Sequence, residues 1–300
     1  MTTRRTLLLG AAAAAGTTLF GACAGEPSAG HRRRTGFLPV PGARLYYEVR
    51  GSGPPLLMIH GGVVDAGSFA AITPELARSF TVIAYDRRGN SRSRLDGPPT
   101  DLRLEQQADD ALRLLDELAD EPPHVFASSG GAVVALELAA RHGDRLATVV
   151  AHEPPVPAVL PDGAAEQAKY EAVHQTYRDR GVEQGFQAFM AIDPGEEDPA
   201  AGPYPADPDL GERIEGNVEF LLAHEMLPFI RYRPDVAALR ATLPDLVVGV
   251  AHYRAEVATR IVQTLAGQLG TTATEFPGDH TGYMWHPKDF ATKLRRTLRN

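Results

Sequence analysis

Short apolar runs alternate with polar and helix-like segments along much of the chain. Each run has three to six residues, which is the length of a strand buried on both faces of a parallel sheet. The runs lie at Pro55–Ile59, 81–86, 124–126, 147–151 and 245–250. Because helix-like segments follow several of them, the pattern predicts one α/β domain.

The strand rhythm stops between residues 156 and 243. Helical patterns cover Gly163–Arg180 and 212–227, and a segment rich in Gly, Pro and Asp separates them at 193–209. The sequence therefore predicts a helical insertion at 156–243 that divides an α/β core into 37–155 and 244–300. Nine residues are predicted to form its apolar inner face: Phe186, Phe189, Met190, Phe220, Leu221, Leu222, Met226, Phe229 and Tyr232.

Two polar residues, His224 and Glu225, interrupt the apolar stretch of the insertion. A polar pair on a helix is ordinarily solvated, so a water-facing position is expected for both. A position facing a binding pocket is the alternative.

A cramped turn joins the apolar run at 124–126 to the next helix-like segment. Its residues are Ala127-Ser128-Ser129-Gly130-Gly131. Small residues two before and two after a serine let the backbone double back and expose the hydroxyl at a helix N-terminus. Ser129 is the predicted nucleophile, although Ala127 stands where the general pattern has glycine. Ser128 is the alternative nucleophile, but only Ser129 has small residues at both of these positions.

A serine hydroxyl needs a neighbouring base to become a nucleophile at neutral pH. His280 follows a short strand-like segment near the end of the chain, within the turn Pro277-Gly278-Asp279-His280. We expect His280 to be this base, with an apparent pKa of roughly 6 to 7 in kcat/KM.

The strand at Pro55–Ile59 ends in His60-Gly61-Gly62-Val63. Glycines at such a point allow backbone to approach a ligand closely. Backbone N–H groups of Gly62 or Val63, with that of Gly130 after the serine, are therefore predicted to form an oxyanion hole.

Four motifs in this order resemble the α/β-hydrolase superfamily over residues 37–298. They are His60-Gly61-Gly62, the strand and turn at 81–93, the serine turn and Pro277-Gly278-Asp279-His280. The resemblance implies a mostly parallel central sheet flanked by helices, with a helical cap inserted after the sixth strand that covers the serine. It also implies no cofactor.

The activity implied by the resemblance is hydrolysis of an ester or lactone of a small to medium apolar substrate through an acyl-enzyme. Dehalogenases and epoxide hydrolases of this fold use an aspartate nucleophile, and a serine at position 129 argues against both. Two alternatives stay open: a cofactor-free haloperoxidase-like or carbon–carbon bond hydrolase, and a non-catalytic binding lipoprotein on the same fold.

The acid that orients the histidine is the least regular member of the predicted triad. Members of the superfamily usually carry it after the seventh strand, but 245–250 runs into Ala251-His252-Tyr253-Arg254 without a carboxylate. Some members, including haloalkane dehalogenases, carry it after the sixth strand, where this chain has Glu153. Glu153 is the predicted acid, followed by two prolines expected to stiffen its turn. Glu256 and Asp279 are the alternatives.

The first residues have the features of an export signal. Arg4 and Arg5 precede a short apolar, alanine-rich run, which suggests the twin-arginine route. We expect the signal to span 1–23, Cys23 to receive a lipid and 24–36 to form a polar tether that includes Arg32, Arg33 and Arg34. Cleavage near Cys23 with simple secretion is the alternative.

Composition limits the partners that the chain can take. The formal net charge is −8, and removal of the two signal arginines leaves 28 basic against 38 acidic residues, a net of about −10. Nucleic acid is not an expected partner, because phosphate binding needs a basic face. The single cysteine excludes an internal disulfide, and no metal-ligand cluster is visible. The expected partner is a small-molecule substrate, with membrane attachment through Cys23.

Overall fold

The computed structural model describes residues 33–202, 206–242 and 245–299. The predicted export signal, with Arg4, Arg5 and the lipidation site Cys23, lies outside the described residues. No helix within the described ranges is long and apolar enough to cross a membrane.

One mixed sheet forms the centre of the molecule. Along its main path the strands follow the order β1-β2-β4-β3-β5-β6-β7-β8, and a two-residue strand, Arg94–Leu95, pairs with β2 at one side. β1 and β2 pair antiparallel, as do β2 and β4, whereas all pairs from β4 to β8 are parallel. The strands are β1 Arg34–Val40, β2 Ala43–Gly51, β3 Pro55–Ile59, β4 Thr81–Tyr85, β5 His124–Ser128, β6 Thr148–His152, β7 Leu246–Ala251 and β8 Thr274–Phe276.

Helices cover both faces of the sheet because the central strands are apolar on both. Successive side chains of a strand point to opposite faces. In β3, Leu57 and Ile59 join a core cluster with α2, α3 and α9, while Leu56 and Met58 join another with α1, α10 and α11. The core helices are α1 Thr73–Leu76, α2 Leu104–Leu118, α3 Gly130–His142, α9 Glu256–Leu269, α10 Gly282–Trp285 and α11 Pro287–Thr297.

The segment between β6 and β7 is helical and forms a cap with its own apolar cluster. Val173, Leu221, Leu222 and Met226 are its buried members. Met190 is 58% exposed, so its predicted place on the apolar inner face is wrong. The cap helices are α4 Gly163–Arg180, α5 Val182–Met190, α6 Leu210–Phe220, α7 Met226–Arg231 and α8 Val236–Thr242.

The predicted helix at 212–227 is divided by a π-helical turn, Leu221–Glu225, between α6 and α7. A π-helical turn is rare and is frequently found at functional sites. Here it displaces the side chains that follow α6 from the register of a regular helix.

The sheet begins earlier than the core boundary predicted at residue 37. β1 starts at Arg34, and Arg33 donates a hydrogen bond of 2.7 Å to Glu48 on β2. Arg33 and Arg34 therefore lie at the sheet and not in the predicted tether. The reason is that β1 is an antiparallel edge strand that pairs with β2 through backbone bonds, which the polar residues Arg34 and Thr35 can supply.

Candidate active site

Left-handed backbone marks four non-glycine residues around the ends of β3, β4, β5 and β6. Val63, Ser91, Ser129 and Glu153 have φ of 67°, 45°, 56° and 48°. Such φ values are uncommon for residues with a Cβ and cost about 1–3 kcal/mol each when sparsely populated. Strain of this kind persists where the surrounding structure holds it and is concentrated at functional sites.

Ser129 lies at the sharp turn between β5 and α3. Its φ of 56° and ψ of −128° reverse the chain, and its N–H donates to His152 O on β6 at 2.9 Å. A Cβ on Gly131 would lie 2.4 Å from the carbonyl oxygens of both Ile59 and His60, which only glycine avoids. Packing against these carbonyl oxygens therefore requires glycine at position 131, two residues after the serine.

The two neighbouring serines differ in their surroundings. Ser128 is 1% exposed at the end of β5, and its hydroxyl has no hydrogen-bond partner among the described residues. Ser129 is partly exposed, and the Cβ position of Gly61 lies 2.8 Å from its Cβ. Ser129 thus faces the loop after β3, where the predicted oxyanion donors lie.

The predicted acid and the predicted base are in contact. Glu153, directly after β6, brings its Oε2 to 2.6 Å from His280 Nδ1, and its Oε1 accepts from Ala251 N–H at 3.0 Å. Burial alone would raise the pKa of Glu153, but the hydrogen bond and charge of His280 lower it to about 2. Glu153 is therefore ionised at neutral pH, and the contact fixes the Nδ1 proton on His280.

Glu153 affects the titration of His280 in turn. Partial burial of the ring opposes its protonation, but the hydrogen bond and charge of Glu153 outweigh this, so the pKa of His280 is above its ordinary value of 6.5. About half of the His280 side chain, 49%, is accessible. No hydrogen bond joins Ser129 to His280 in the described residues; such bonds often tighten only when substrate binds.

Neither of the two alternative acids makes a hydrogen bond to His280 among the described residues. Glu256 is exposed at the first residue of α9. Asp279 Oδ1 accepts from the N–H and the hydroxyl of Thr281, at 2.7 and 2.9 Å, and so closes the turn that carries His280.

A buried histidine, His152, lies at the end of β6 near the candidate base. Its ring is 6.3 Å from that of His280 and makes edge contacts with Phe276 and Phe290. Burial lowers the pKa of His152 to about 4, so the ring is neutral. No sequence signal distinguished it from an ordinary strand-end residue.

The loop after β3 is fixed by His60. His60 Nδ1 lies 2.8 Å from Gly61 O, and Arg87 N–H donates to His60 Nε2 at 2.9 Å. Nδ1 therefore carries the proton, and burial together with the Arg87 charge lowers the pKa of His60 to about 3. Gly62 and Val63 follow on this neutral, bonded residue, opposite the serine turn.

Gly130, the third predicted oxyanion donor, is the first residue of α3. The first four N–H groups of a helix have no partner inside it, so this one is available to a ligand. Its Cβ position is 2.6 Å from the Phe229 ring of the cap, and that of Gly62 is 2.9 Å from Leu221. Apolar cap residues therefore cover both glycines.

The turn after β4 is held by Asp86. Asp86 is buried and accepts from the N–H groups of Ala66 and Arg92, both at 3.0 Å. The Arg92 side chain completes the contact with bonds of 2.7 and 2.8 Å. Asp86 thus orders the backbone around Ser91 and is occupied by structural bonds.

Cap side chains reach this turn and the loop after β3. Asn217 on α6 donates to Val63 O at 2.8 Å and accepts from Ser91 N–H at 2.8 Å. Glu225 is fully buried and bonds Arg87, so the expectation that it faces water is wrong. His224 is partly exposed and contacts Asp101. Neither Asn217 nor Arg87 was singled out from the sequence.

Comparison with known proteins decides the family. Residues 54–197 match the family model described as alpha/beta hydrolase fold. YraK of Bacillus subtilis (strain 168), named an uncharacterized hydrolase, is 34% identical over an alignment of 270 residues that covers 88% of this chain and 95% of that protein. The chain belongs to the α/β-hydrolase family. As a member it is an enzyme of the hydrolase class.

Solved structures share the fold of this α/β-hydrolase. A thermophilic esterase from Thermogutta terrifontis superposes with a TM-score of 0.70 at 23% identity, over 89% of this chain and 98% of that one. A structure from a study of carboxylesterases of the Thaumarchaeon Nitrososphaera gargenis superposes with a TM-score of 0.68 at 20% identity. The superposition covers 88% of this chain and 98% of that one. Within the described residues of this α/β-hydrolase, no group of three or more His, Cys, Asp or Glu could hold a metal ion.

Proposed function

We propose that the protein is a serine hydrolase that cleaves an ester or lactone of a small to medium apolar substrate. The observation that carries the proposal is the Glu153–His280 contact of 2.6 Å after β6, together with the strained serine turn after the neighbouring strand β5. A buried, ionised carboxylate on Nδ1 leaves Nε2 as the free nitrogen that can accept a proton. This is the arrangement that a serine nucleophile needs.

The reaction follows from these roles. Ser129 Oγ attacks the substrate carbonyl carbon while His280 Nε2 takes the hydroxyl proton, and the carbonyl oxygen becomes an oxyanion. The N–H groups of Gly62 or Val63 and of Gly130 donate to it. Collapse breaks the bond to the alcohol, which leaves with the proton from His280. Water, deprotonated by the same ring, then releases the acid and restores Ser129.

The cap supports an apolar acyl group. Leu221, Phe229 and the side chain of Val63 surround the backbone donors, and Val63 packs against the apolar cap cluster. The similar solved structures include an esterase and a protein from a study of carboxylesterases, and we extend the ester substrate of those proteins to this chain. A screen of p-nitrophenyl esters of increasing chain length, with lactones beside them, tests this choice. If the protein hydrolyses neither the esters nor the lactones, the proposed substrate class is wrong.

The pH dependence of kcat/KM tests the role of His280. The ring must be neutral to accept the serine proton, so kcat/KM should rise with pH through the pKa of His280. Because Glu153 raises that pKa, the midpoint should lie above 6.5, toward the upper end of the range expected from the sequence. Glu153, with a pKa of about 2, should add no second rise near neutrality. A flat profile between about pH 5 and 9 would contradict a histidine base.

We also propose export with lipid attachment at Cys23, from the Arg4-Arg5 pair and the cysteine that follows the apolar run. Cys23→Ala should move the protein from the membrane fraction to the soluble exported fraction. Replacing both arginines by lysine should block export. If the cysteine variant partitions as the parent does, the lipid proposal fails and simple secretion is preferred.

A further inference from the structure

Glu225 is the last residue of the π-helical turn in the cap, and it is 0% exposed. Its carboxylate accepts two hydrogen bonds from the Arg87 guanidinium, at 2.5 Å on Oε1 and 3.0 Å on Oε2. Asn90 Nδ2 donates a third, at 3.1 Å. Every one of these donors belongs to the turn after β4, so one cap carboxylate is bound entirely by the core.

The same Arg87 side chain holds the loop that carries the predicted oxyanion donors. Its Nε donates to His60 O at 3.1 Å, and its Nη2 donates to Gly61 O at 2.9 Å. Its backbone N–H also donates to His60 Nε2. A planar guanidinium has five donors in a fixed fork, so the orientation that satisfies Glu225 also fixes the two loop carbonyls.

Through these contacts, the Glu225–Arg87 ion pair also orients the peptide groups of the loop after β3. The carbonyl of Gly61 and the N–H of Gly62 belong to one planar peptide unit, so a bond that fixes the carbonyl also fixes the direction of the N–H. Without the carboxylate, the buried Arg87 charge loses its partner and must seek other acceptors or water. The peptide between Gly61 and Gly62 then loses its orientation.

We propose that Glu225 is a positioning residue that acts through Arg87 to align the oxyanion donors after β3, so that this site is complete only when the cap is docked. The proposal rests on the proposed serine mechanism, because it concerns stabilisation of the oxyanion. Glu225 touches no reacting atom in it. Its effect should therefore appear in transition-state stabilisation and not in substrate affinity.

The chain offers a matched control in the adjacent pair Arg88–Asp110. It is also a buried arginine and carboxylate joined by two bonds, both of 2.8 Å. Asp110 is on α2, and the pair makes no hydrogen bond to residues 60–63 in the described part of the chain. Loss of either carboxylate should reduce stability, but only loss of Glu225 should reduce the rate.

The experiment compares Glu225→Gln with Asp110→Asn at a temperature where circular dichroism shows both folded. For Glu225→Gln we expect kcat to fall by about tenfold to a hundredfold, less than or equal to the loss of an oxyanion donor itself, with KM nearly unchanged. Affinity for a trifluoromethyl ketone, which forms a tetrahedral adduct, should fall in parallel. Asp110→Asn should keep the parental kcat and the parental affinity for the ketone. Equal loss of kcat in the two variants, or a change in KM alone, would overturn the proposal.

A second variant covers the case in which Glu225→Gln does not fold. Arg87→Met with Glu225→Met replaces the ion pair by apolar side chains, an exchange that is often neutral or stabilising. This double variant should fold yet keep the low kcat, because the bonds to His60 O and Gly61 O are gone. Parental kcat in it would overturn the proposal. If the parent itself neither turns over esters nor reacts with a fluorophosphonate, the serine mechanism fails instead.

Discussion

Ser129→Ala should abolish ester turnover while leaving the fold intact. Removal of a serine nucleophile costs about 10⁴-fold or more in kcat, because the remaining oxyanion donors cannot replace covalent catalysis. The substitution deletes only a partly exposed hydroxyl, so the free energy of unfolding should change little. Initial rates on a p-nitrophenyl ester, together with urea denaturation, measure the two effects.

Ser128→Ala is the matched control for this prediction. The Ser128 hydroxyl is buried and has no hydrogen-bond partner in the described structure. Its removal in alanine should leave the free energy of unfolding unchanged or slightly raise it. We expect near-parental kcat. If only Ser128→Ala lost activity, Ser128 would be the nucleophile and the assignment of Ser129 would be wrong.

Glu153→Gln should lower kcat by about 10³- to 10⁴-fold, as loss of the acid does in serine triads. The amide has the size of the carboxylate but cannot stabilise the imidazolium, and it can favour the wrong tautomer of His280. The negative charge that raises the pKa of His280 also disappears. The residual activity should therefore rise with pH through a lower midpoint than that of the parent.

Two isosteric substitutions test whether position matters as much as charge. Glu256→Gln changes an exposed helix residue, and Asp279→Asn changes a carboxylate occupied by Thr281. Both should keep kcat within a few-fold of the parent. Should either lose activity while Glu153→Gln retains it, the acid lies elsewhere and the similarity to families with a sixth-strand acid is misleading.

Local sequence patterns anticipated several strands and helices, and the family resemblance anticipated the pairing of Glu153 with His280. The apolar run Pro55–Ile59 is β3 and Gly163–Arg180 is α4, each with the bounds read from the pattern. The resemblance to α/β-hydrolases whose acid follows the sixth strand, with the missing carboxylate after 245–250, pointed to Glu153, and Glu153 Oε2 lies 2.6 Å from His280 Nδ1. Chain order and strand ends carry this information because parallel strands end at one edge of the sheet.

Long-range pairing was beyond reach of the same argument. Glu225 was expected in water because polar residues on a helix are ordinarily solvated, yet it bonds the buried Arg87, 138 positions away in sequence. The π-helical turn that places it there has no periodic signature in the sequence. β1 was missed at Arg34 because edge strands rely on backbone pairing and can begin with polar residues.

The site of covalent attachment of a fluorophosphonate tests the central claim most directly, because only an activated nucleophile reacts with it at an appreciable rate. The purified protein is treated with the probe, digested and analysed by tandem mass spectrometry, which separates adducts on Ser128 and Ser129. The account predicts one adduct, on Ser129, lost in Ser129→Ala and strongly slowed in Glu153→Gln. Attachment to another residue, or no attachment to a protein that still hydrolyses esters, would contradict it.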